Sequence, residues 1–163
     1  MTDLLTDSEI QDLIDEPKSL PANYLELVRM KPKRGHKEAD LAVQGASGSL
    51  FHLILRQNNI NSFDFSVIVG YEMPKTNAMF RLRRYNGKSH WHTNKLEHFT
   101  FFDYHIHLAT QRYQEAGLEE DAYAEPTALY ADLNDALQCA VRDCGFQLPP
   151  DSQLILPFVG GES

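Results

Sequence analysis

Short stretches in which every second residue is apolar recur along the middle of the chain. They cover residues 24–30, 39–44, 50–56, 63–71, 79–85 and 100–107. A period of two is typical of strands that bury one face, and short connections between consecutive strands predict antiparallel neighbours. Segments 63–71 and 79–85, joined by a turn at Pro74, are therefore expected to pair with each other.

Three other stretches have apolar residues at helical spacing. Residues 6–14 begin with a capping-box signature, and segments 108–116 and 130–144 are each followed by a glycine. These patterns predict an α+β fold, with an antiparallel sheet of four to six strands and two or three helices packed on one face. Residues 1–148 are expected to form a single α+β domain, and residues 149–163 a C-terminal tail that is mobile or loosely docked.

Length and cysteine content narrow the class of protein. A chain of 163 residues suits one domain with a real core, and no apolar run approaches the roughly 20 residues of a membrane helix. The acidic N-terminus lacks the basic start of a secretory signal. Cys139 and Cys144 are too few for a disulfide framework and are expected to be ordinary thiols on a helix. We therefore expect a cytoplasmic protein without membrane association.

Charge is distributed unevenly along the chain. The net charge is −8, yet residues 29–95 contain twelve Lys/Arg and four Asp/Glu, which gives +8 there and −16 elsewhere. The basic segment could form a face that attracts RNA or another phosphate-bearing ligand, or the two regions could neutralise each other in the fold. The residues expected to bind nucleic acid are Lys33, Arg34, Lys37, Arg81, Arg84, Lys88 and Arg112.

Five of the seven histidines lie between residues 90 and 107, close to several arginines and tyrosines. Histidine carries protons near neutral pH, and arginine binds phosphate oxygens. Together they can supply a general base, a general acid and charge stabilisation for metal-independent RNA cleavage without a cofactor. The residues expected to be catalytic are His105, His107, His90, His92, Arg83 and Tyr85.

Strand periodicity predicts how these side chains are oriented. Arg81 and Arg83 should share the outward face of their strand, with Arg84 on the opposite side. His105 and His107 should likewise share one face of theirs. If the two strands adjoin, the two pairs would form a compact cationic cleft.

A metal site is the main chemical alternative. The two His-x-His pairs, with Asp103 or Glu97, contain suitable ligand types. Their spacing matches no specific zinc signature, and the neighbouring Lys and Arg residues disfavour a cation. We therefore expect no metal ion.

The segment from residue 83 to residue 92 contains Arg84, Tyr85, Gly87, Lys88, His90 and His92. These six residues resemble part of a motif of a small toxin family. In TumE-like toxins of prokaryotic toxin–antitoxin pairs, an Arg-Tyr-Asp segment precedes a Gly-Lys-Gly-Asp-His-Arg-His motif. Asn86 stands where that family has Asp, and the intervening stretch is shorter here. The resemblance implies a ribonuclease-like toxin with an antitoxin or host protein as partner.

Two functional hypotheses follow. The first is a metal-independent ribonuclease-like toxin acting in the cytoplasm. The second is a non-catalytic protein, either an inhibitor encoded by a phage or mobile element or an accessory protein that binds nucleic acid. The whole chain also resembles uncharacterised bacterial and phage proteins, which implies no activity. The histidines favour the first hypothesis and the overall acidity favours the second.

Overall fold

A seven-stranded antiparallel sheet forms the framework of residues 4–150, the part of the chain described by the computed structural model. In chain order the elements are α1 (Asp7–Asp15), β1 (Lys18–Ser19), α2 (Tyr24–Leu27), β2 (Lys31–Pro32), β3 (His36–Gln44), β4 (Leu50–Asn58), β5 (Phe65–Glu72), β6 (Met79–Asn86), β7 (His92–Asn94), β8 (Phe99–Phe101), β9 (His105–Leu108), α3 (Gln111–Glu115), β10 (Ala124–Pro126), α4 (Leu133–Asp143) and β11 (Phe146–Gln147). The sheet order is β10-β9-β6-β5-β4-β3-β2, and β1–β11 and β7–β8 form separate pairs.

This architecture confirms the predicted α+β class and the antiparallel pairing of 63–71 with 79–85. The main sheet has seven strands, one more than the four to six predicted. None of the helices within residues 4–150 is long and apolar enough to cross a membrane. The tail predicted for 149–163 lies outside the described residues from position 151 onward.

One face of the sheet packs against helices to form the core. Strands β3, β4 and β5 turn alternate side chains toward it, including Leu41, Leu53 and Val69, which are all buried. The buried side of α4 packs against β5 and β6 and joins the same apolar cluster. We call this side the core face, and the opposite side, which carries His52 and Ile54, the second face.

Two predicted strands differ from the structure. The strand predicted for 24–30 is wrong: Tyr24 and Val28 are both buried four residues apart, which is the spacing of a helical turn, and they belong to α2 and its cap. The strand predicted for 100–107 is interrupted at residues 102–104 and is divided between β8 and β9. This interruption lets β8 pair with β7 while β9 joins the main sheet.

Strand β6 contains a β-bulge at Leu82. Arg81 pairs with Gly70 and Arg83 pairs with Val69, so Leu82 has no partner of its own on β5. Because a bulge inserts one residue, the alternation of side chains changes phase beyond it. Periodicity alone cannot reveal such a shift.

The bulge overturns the predicted placement of the arginines. Arg83 lies on the core face, 3.9 Å from the carboxylate of Asp143 on α4. Arg84 lies on the second face, and its Nε donates to Asp121 at 3.2 Å. Arg81 also contacts Asp121, at 3.5 Å. The arginines that meet are therefore Arg81 and Arg84, and the expectation that Arg81 shares a face with Arg83 is wrong.

A buried lysine joins the ends of two helices. The Nζ of Lys18 lies 2.6–2.9 Å from the main-chain carbonyl oxygens of Leu13, Ile14, Glu16 and Cys144. These carbonyls belong to the C-terminal ends of α1 and α4. Carbonyl groups at a helix C-terminus have no intrahelical donor, and they carry partial negative charge. Burial lowers the pKa of Lys18 to about 8, so the ammonium form predominates at neutral pH.

Replacing Lys18 with methionine should lower the free energy of unfolding by at least about 3 kcal/mol, because it leaves buried carbonyl oxygens without a donor. Urea denaturation at pH 7 measures this difference. Lys75→Met is the matched control, since Lys75 is exposed in the β5–β6 turn and its loss should change stability by less than about 0.5 kcal/mol. Equal effects of the two substitutions would contradict the assigned role.

His52 on the second face lies between two carboxylates. Its Nδ1 is 2.8 Å from Asp40 and its Nε2 is 3.2 Å from Glu72. Burial disfavours the charged ring, but the hydrogen bonds with Asp40 and Glu72 outweigh it and raise the pKa of His52. When it is protonated, the ring links β3, β4 and β5 on this face.

A raised pKa in the folded state means that protonation of His52 stabilises the fold. This stabilisation is fully present below the unfolded-state pKa of about 6.5 and disappears as the pH rises through the folded-state pKa. Urea denaturation of wild type and His52→Gln across this range should show the largest difference on the acidic side. A difference that grows toward alkaline pH would contradict the assignment.

Candidate functional site: a buried histidine cluster

Three imidazole rings meet beneath the β7–β8 hairpin, which covers the second face of the sheet at β9. The ring centroid of His92 lies 5.4 Å from that of His105 and 4.9 Å from that of His107, and the last two are 4.9 Å apart. One ring nitrogen from each residue lies within 4.8 Å of the other two. We call these residues the histidine cluster; it is the one group of three or more such ligands found within residues 4–150.

The register between β6 and β9 brings two of these rings together. His107 pairs with Arg84 and His105 with Asn86, so both histidines lie on the second face, as their spacing predicts. Ile106 points to the core face, where it packs against the apolar cluster. Both histidines are buried, with exposures of 1% for His105 and 4% for His107.

Main-chain carbonyl groups fix the tautomers of the two β9 histidines. The Nδ1 of His105 lies 2.7 Å from the carbonyl oxygen of Asp103, and the Nδ1 of His107 lies 2.7 Å from that of Asp121. Because a carbonyl oxygen only accepts, each Nδ1 must carry the proton. The lone pair of each neutral ring is therefore on Nε2.

The two Nε2 atoms differ in their surroundings. The Nε2 of His107 accepts from the side-chain amide of Asn86 at the long distance of 3.4 Å, and the oxygen of that amide accepts from Ser66. The Nε2 of His105 is buried and has no hydrogen-bond partner among the described residues. A buried acceptor without a partner costs about 1–3 kcal/mol, so its presence at this position calls for an explanation.

Asn94 positions the third histidine. Its side-chain amide donates to the carbonyl of Ala124 at 2.7 Å and its oxygen accepts from the amide of Ala124 at 2.9 Å, which attaches the hairpin to β10. The same oxygen lies 2.8 Å from the Nε2 of His92. Since that oxygen is an acceptor, Nε2 of His92 carries a proton, and in the neutral ring the lone pair is on Nδ1.

Burial dominates the proton affinity of the β9 histidines. Burial lowers the pKa of His105 to about 4, opposed by the hydrogen bond to the Asp103 carbonyl and reinforced by nearby positive groups. Burial also lowers the pKa of His107 to about 2, with Arg84 adding to the shift. Both rings are neutral at pH 7. This environment does not suit the predicted acid–base pair, which needs a pKa near the working pH.

Arg84, a cation that lowers the pKa of both β9 histidines, is paired with a buried carboxylate. Asp121, 1% exposed, lies 3.2 Å from Arg84 and 3.5 Å from Arg81. Burial raises the pKa of Asp121, while Arg84 and Arg81 lower it. Glu119 and Glu120 also bind Arg81, at 2.6 and 3.3 Å. The acidic loop therefore neutralises this part of the predicted cationic cleft.

The six residues predicted to be catalytic are not brought together. Tyr85 lies on the core face and its hydroxyl donates to Asp143 at 2.9 Å, and Arg83 lies beside it. His90 is exposed in the loop before β7, where its Nδ1 contacts the hydroxyl of Ser89 at 2.9 Å. Only His92, His105 and His107 converge.

The residues predicted to bind nucleic acid are likewise dispersed. Lys33, Arg34 and Lys37 lie in or beside the β2–β3 turn at the other edge of the sheet. Arg112 binds Glu97. Lys88 is in the loop after β6. These residues therefore do not form a single continuous basic surface.

The outer surface of the hairpin region carries exposed aromatic side chains. Trp91 is 70% exposed and Phe102 is 36% exposed, with ring centroids 5.4 Å apart. The Nζ of Lys88 lies 5.8 Å from the Phe102 ring and 4.0 Å from the carboxylate of Asp103. These residues stand on the same structural unit as His92.

Sequence patterns did not single out the residues that support the cluster. Asn94 follows His92 by two positions, so a strand assignment for this segment would have placed both side chains on one face. Asn86 was visible only as a departure from the TumE-like motif. Asp121 lies in a loop, where periodicity gives no information about its contacts.

Comparison of the chain with protein-family models, curated proteins and solved structures finds no match. The class is therefore defined by the geometry alone: an α+β protein with three converging imidazoles near one edge of an antiparallel sheet. Neutral imidazole nitrogens can accept hydrogen bonds or coordinate a transition metal. The two cysteines are buried and free, and neither belongs to this cluster.

Asp121→Asn should lower the free energy of unfolding by about 3 kcal/mol, because it removes the charge that pairs with Arg84 in a buried setting. Urea denaturation at pH 7 checks this. Glu119→Gln is the control: the Glu119 side chain is 72% exposed, and its loss should change stability by less than about 1 kcal/mol. If both substitutions lower the free energy of unfolding by less than about 1 kcal/mol, Asp121 does not hold Arg81 and Arg84 in place.

Proposed function

We propose that this protein is a small cytoplasmic effector that cleaves RNA at the histidine cluster. The observation that carries the proposal is a juxtaposition: the three imidazoles lie beneath a hairpin region whose outer surface presents Trp91, Phe102 and Lys88. Chemical groups and a surface suited to a nucleotide are thus within one structural unit. The resemblance to TumE-like toxins, which covers part of this unit, supports the same function.

The hairpin surface has the properties of a binding site for single-stranded RNA. Exposed aromatic rings stack on bases with little sequence preference, and a nearby cation attracts the phosphate backbone. Trp91 and Phe102 provide the rings, and Lys88 provides the charge. His90 is exposed in the same loop and His92 is half-buried, so these two histidines are the ones that substrate can approach.

The buried and accessible histidines have different roles in this proposal. His105 and His107 are neutral and hydrogen-bonded to main-chain carbonyls, so in this proposal they position His92 and do not transfer protons themselves. His92 forms its accessible side. A partner such as an antitoxin or a host protein would inhibit the enzyme by covering the surface around Trp91.

A non-catalytic function is the second candidate. Arg81, Arg84 and Arg112 all pair with acidic side chains, which weakens a general attraction to nucleic acid. The exposed Trp91 and Phe102 would then bind a partner without any reaction. An inhibitor encoded by a phage or mobile element, or an accessory protein that binds nucleic acid, fits this description.

RNA cleavage by the purified protein tests the proposal. We expect wild type to cleave single-stranded RNA, and His92→Ala to reduce the rate by about 100-fold, as misplacing a reacting group does. His98→Asn is the matched control, because His98 is exposed in the same hairpin at a φ of 57° that asparagine tolerates. Its activity should equal that of wild type.

RNA binding is measured in the same preparations. Trp91→Ala should weaken binding by about 10-fold or more, and the affinity of wild type should fall as salt rises. Binding without cleavage would overturn the enzymatic proposal and favour the accessory protein. Absence of both would exclude RNA as the ligand.

A further inference from the structure

We propose that His92, His105 and His107 bind one divalent transition-metal ion, with zinc as the best fit. The assignment goes beyond the proposed function and does not depend on RNA being the substrate. It also replaces the expectation of a metal-free site. Four features of the histidine cluster support it.

The first feature is convergence. Ring nitrogens that bind one zinc ion lie about 2.0–2.1 Å from it. Those of the cluster lie within 4.8 Å of one another. Drawing them onto a common ion requires each nitrogen to move by less than about 1 Å, which small side-chain rotations can provide. The half-buried His92, on the separate hairpin, has the greatest freedom to make this adjustment.

The second feature is the orientation of the lone pairs. Metal-binding histidines usually donate their other ring N–H to a carbonyl or carboxylate, which fixes the tautomer. His105 and His107 do so to main-chain carbonyls at 2.7 Å, and His92 does so to Asn94 at 2.8 Å. The lone pairs of His105 and His107 are therefore on Nε2, and that of neutral His92 is on Nδ1, so each ring has one nitrogen that can bind a metal ion.

The third feature is the unpartnered Nε2 of His105. It lies in a residue that is 1% exposed and has no hydrogen-bond donor among the described residues. The Nε2 of His107 has only the long contact with Asn86. Two buried lone pairs that are weakly satisfied by protein groups, on rings that both contact the ring of His92, are what a bound cation would use.

The fourth feature is the electrostatic setting. The Lys and Arg residues that argued against a cation are largely occupied, since Asp121 binds both Arg84 and Arg81. Asp103 contributes a carbonyl to His105 rather than a carboxylate to the cluster, and Glu97 binds Arg112. Three neutral nitrogens without carboxylates select zinc, cobalt, nickel or copper over magnesium or calcium.

A bound zinc ion with three protein ligands retains a position for water or a substrate oxygen, and it lowers the pKa of that water. The residues of this chain would hold the ion and orient its ligands. His90 and the side chains of Trp91 and Lys88 lie on the accessible loop beside His92. An anionic substrate bound there would be close to the ion.

Calorimetric titration of the full-length, tag-free protein with zinc chloride, after removal of metals with a chelator, tests the assignment. We expect one ion per chain with a dissociation constant below about 1 μM and no comparable binding of Mg²⁺. His92→Ala should raise the dissociation constant at least about 100-fold, while His98→Asn and His90→Gln should leave it unchanged. Equal affinity of wild type and His92→Ala would overturn the proposal.

A ligand exchange keeps the test decisive if alanine disturbs the fold. His92→Cys retains a metal-binding atom, so this variant should bind Co²⁺ and add a thiolate-to-cobalt charge-transfer band that wild type lacks. Circular dichroism of both metal-free variants confirms that they are folded. A folded His92→Cys protein with bound cobalt but no such band would also overturn the proposal.

The outcomes separate this proposal from the proposed function. One zinc ion bound by the cluster without any RNA cleavage would support the metal site and contradict the ribonuclease. RNA cleavage by protein that binds no zinc would do the reverse. Cleavage that is lost on chelation and restored by zinc, but not in His92→Ala, would support both.

Discussion

The single extra residue in β6 determines which side chains can meet in this protein. Leu82 has no partner on β5. The side chains of β6 therefore alternate between the two faces in opposite phase before and after Leu82. Arg84 and Asn86 therefore face β9 histidines on the second face, while Arg83 and Tyr85 are directed to α4 on the core face. Without the bulge, Asn86 would lie on the core face, away from His107.

Burial gives the histidine cluster its chemical character. His92 of β7 contacts both rings, Phe101 of β8 contacts His105, and the main-chain carbonyls of Asp103 and Asp121 orient the two buried rings. Burial keeps both rings neutral although the carbonyl hydrogen bonds favour protonation, and those hydrogen bonds place the lone pairs on Nε2. The same residues in an exposed loop would be ordinary titrating histidines. The proposed metal site and the proposed reaction both depend on the burial of His105 and His107 beneath the β7–β8 hairpin.

The sequence predicted most strands and helices and the sheet face of many side chains. It did not predict where a bulge reverses the alternation of side chains along a strand. Alternating apolar residues identified β3, β4 and β5, and the His-x-His spacing placed His105 and His107 on one face. The strand expected at Tyr24 failed because two apolar residues four apart fit either an irregular strand or a helical turn, and only packing decides. The arginine assignments failed because a bulge leaves no mark in a hydrophobic pattern. Convergence of His92 with the other two depends on the hairpin attachment through Asn94, a long-range contact that no local pattern contains.

The central claim is that His92, His105 and His107 bring one ring nitrogen each to a common point. Proton–nitrogen correlation spectra of the imidazole rings, recorded at pH 7 on metal-free protein, report the tautomer of each histidine directly. The structure predicts that His105 and His107 carry the proton on Nδ1, that His92 carries it on Nε2, and that ring protons of His92 show contacts to both others. Protonation of His105 or His107 on Nε2, or the absence of contacts with His92, would contradict the account.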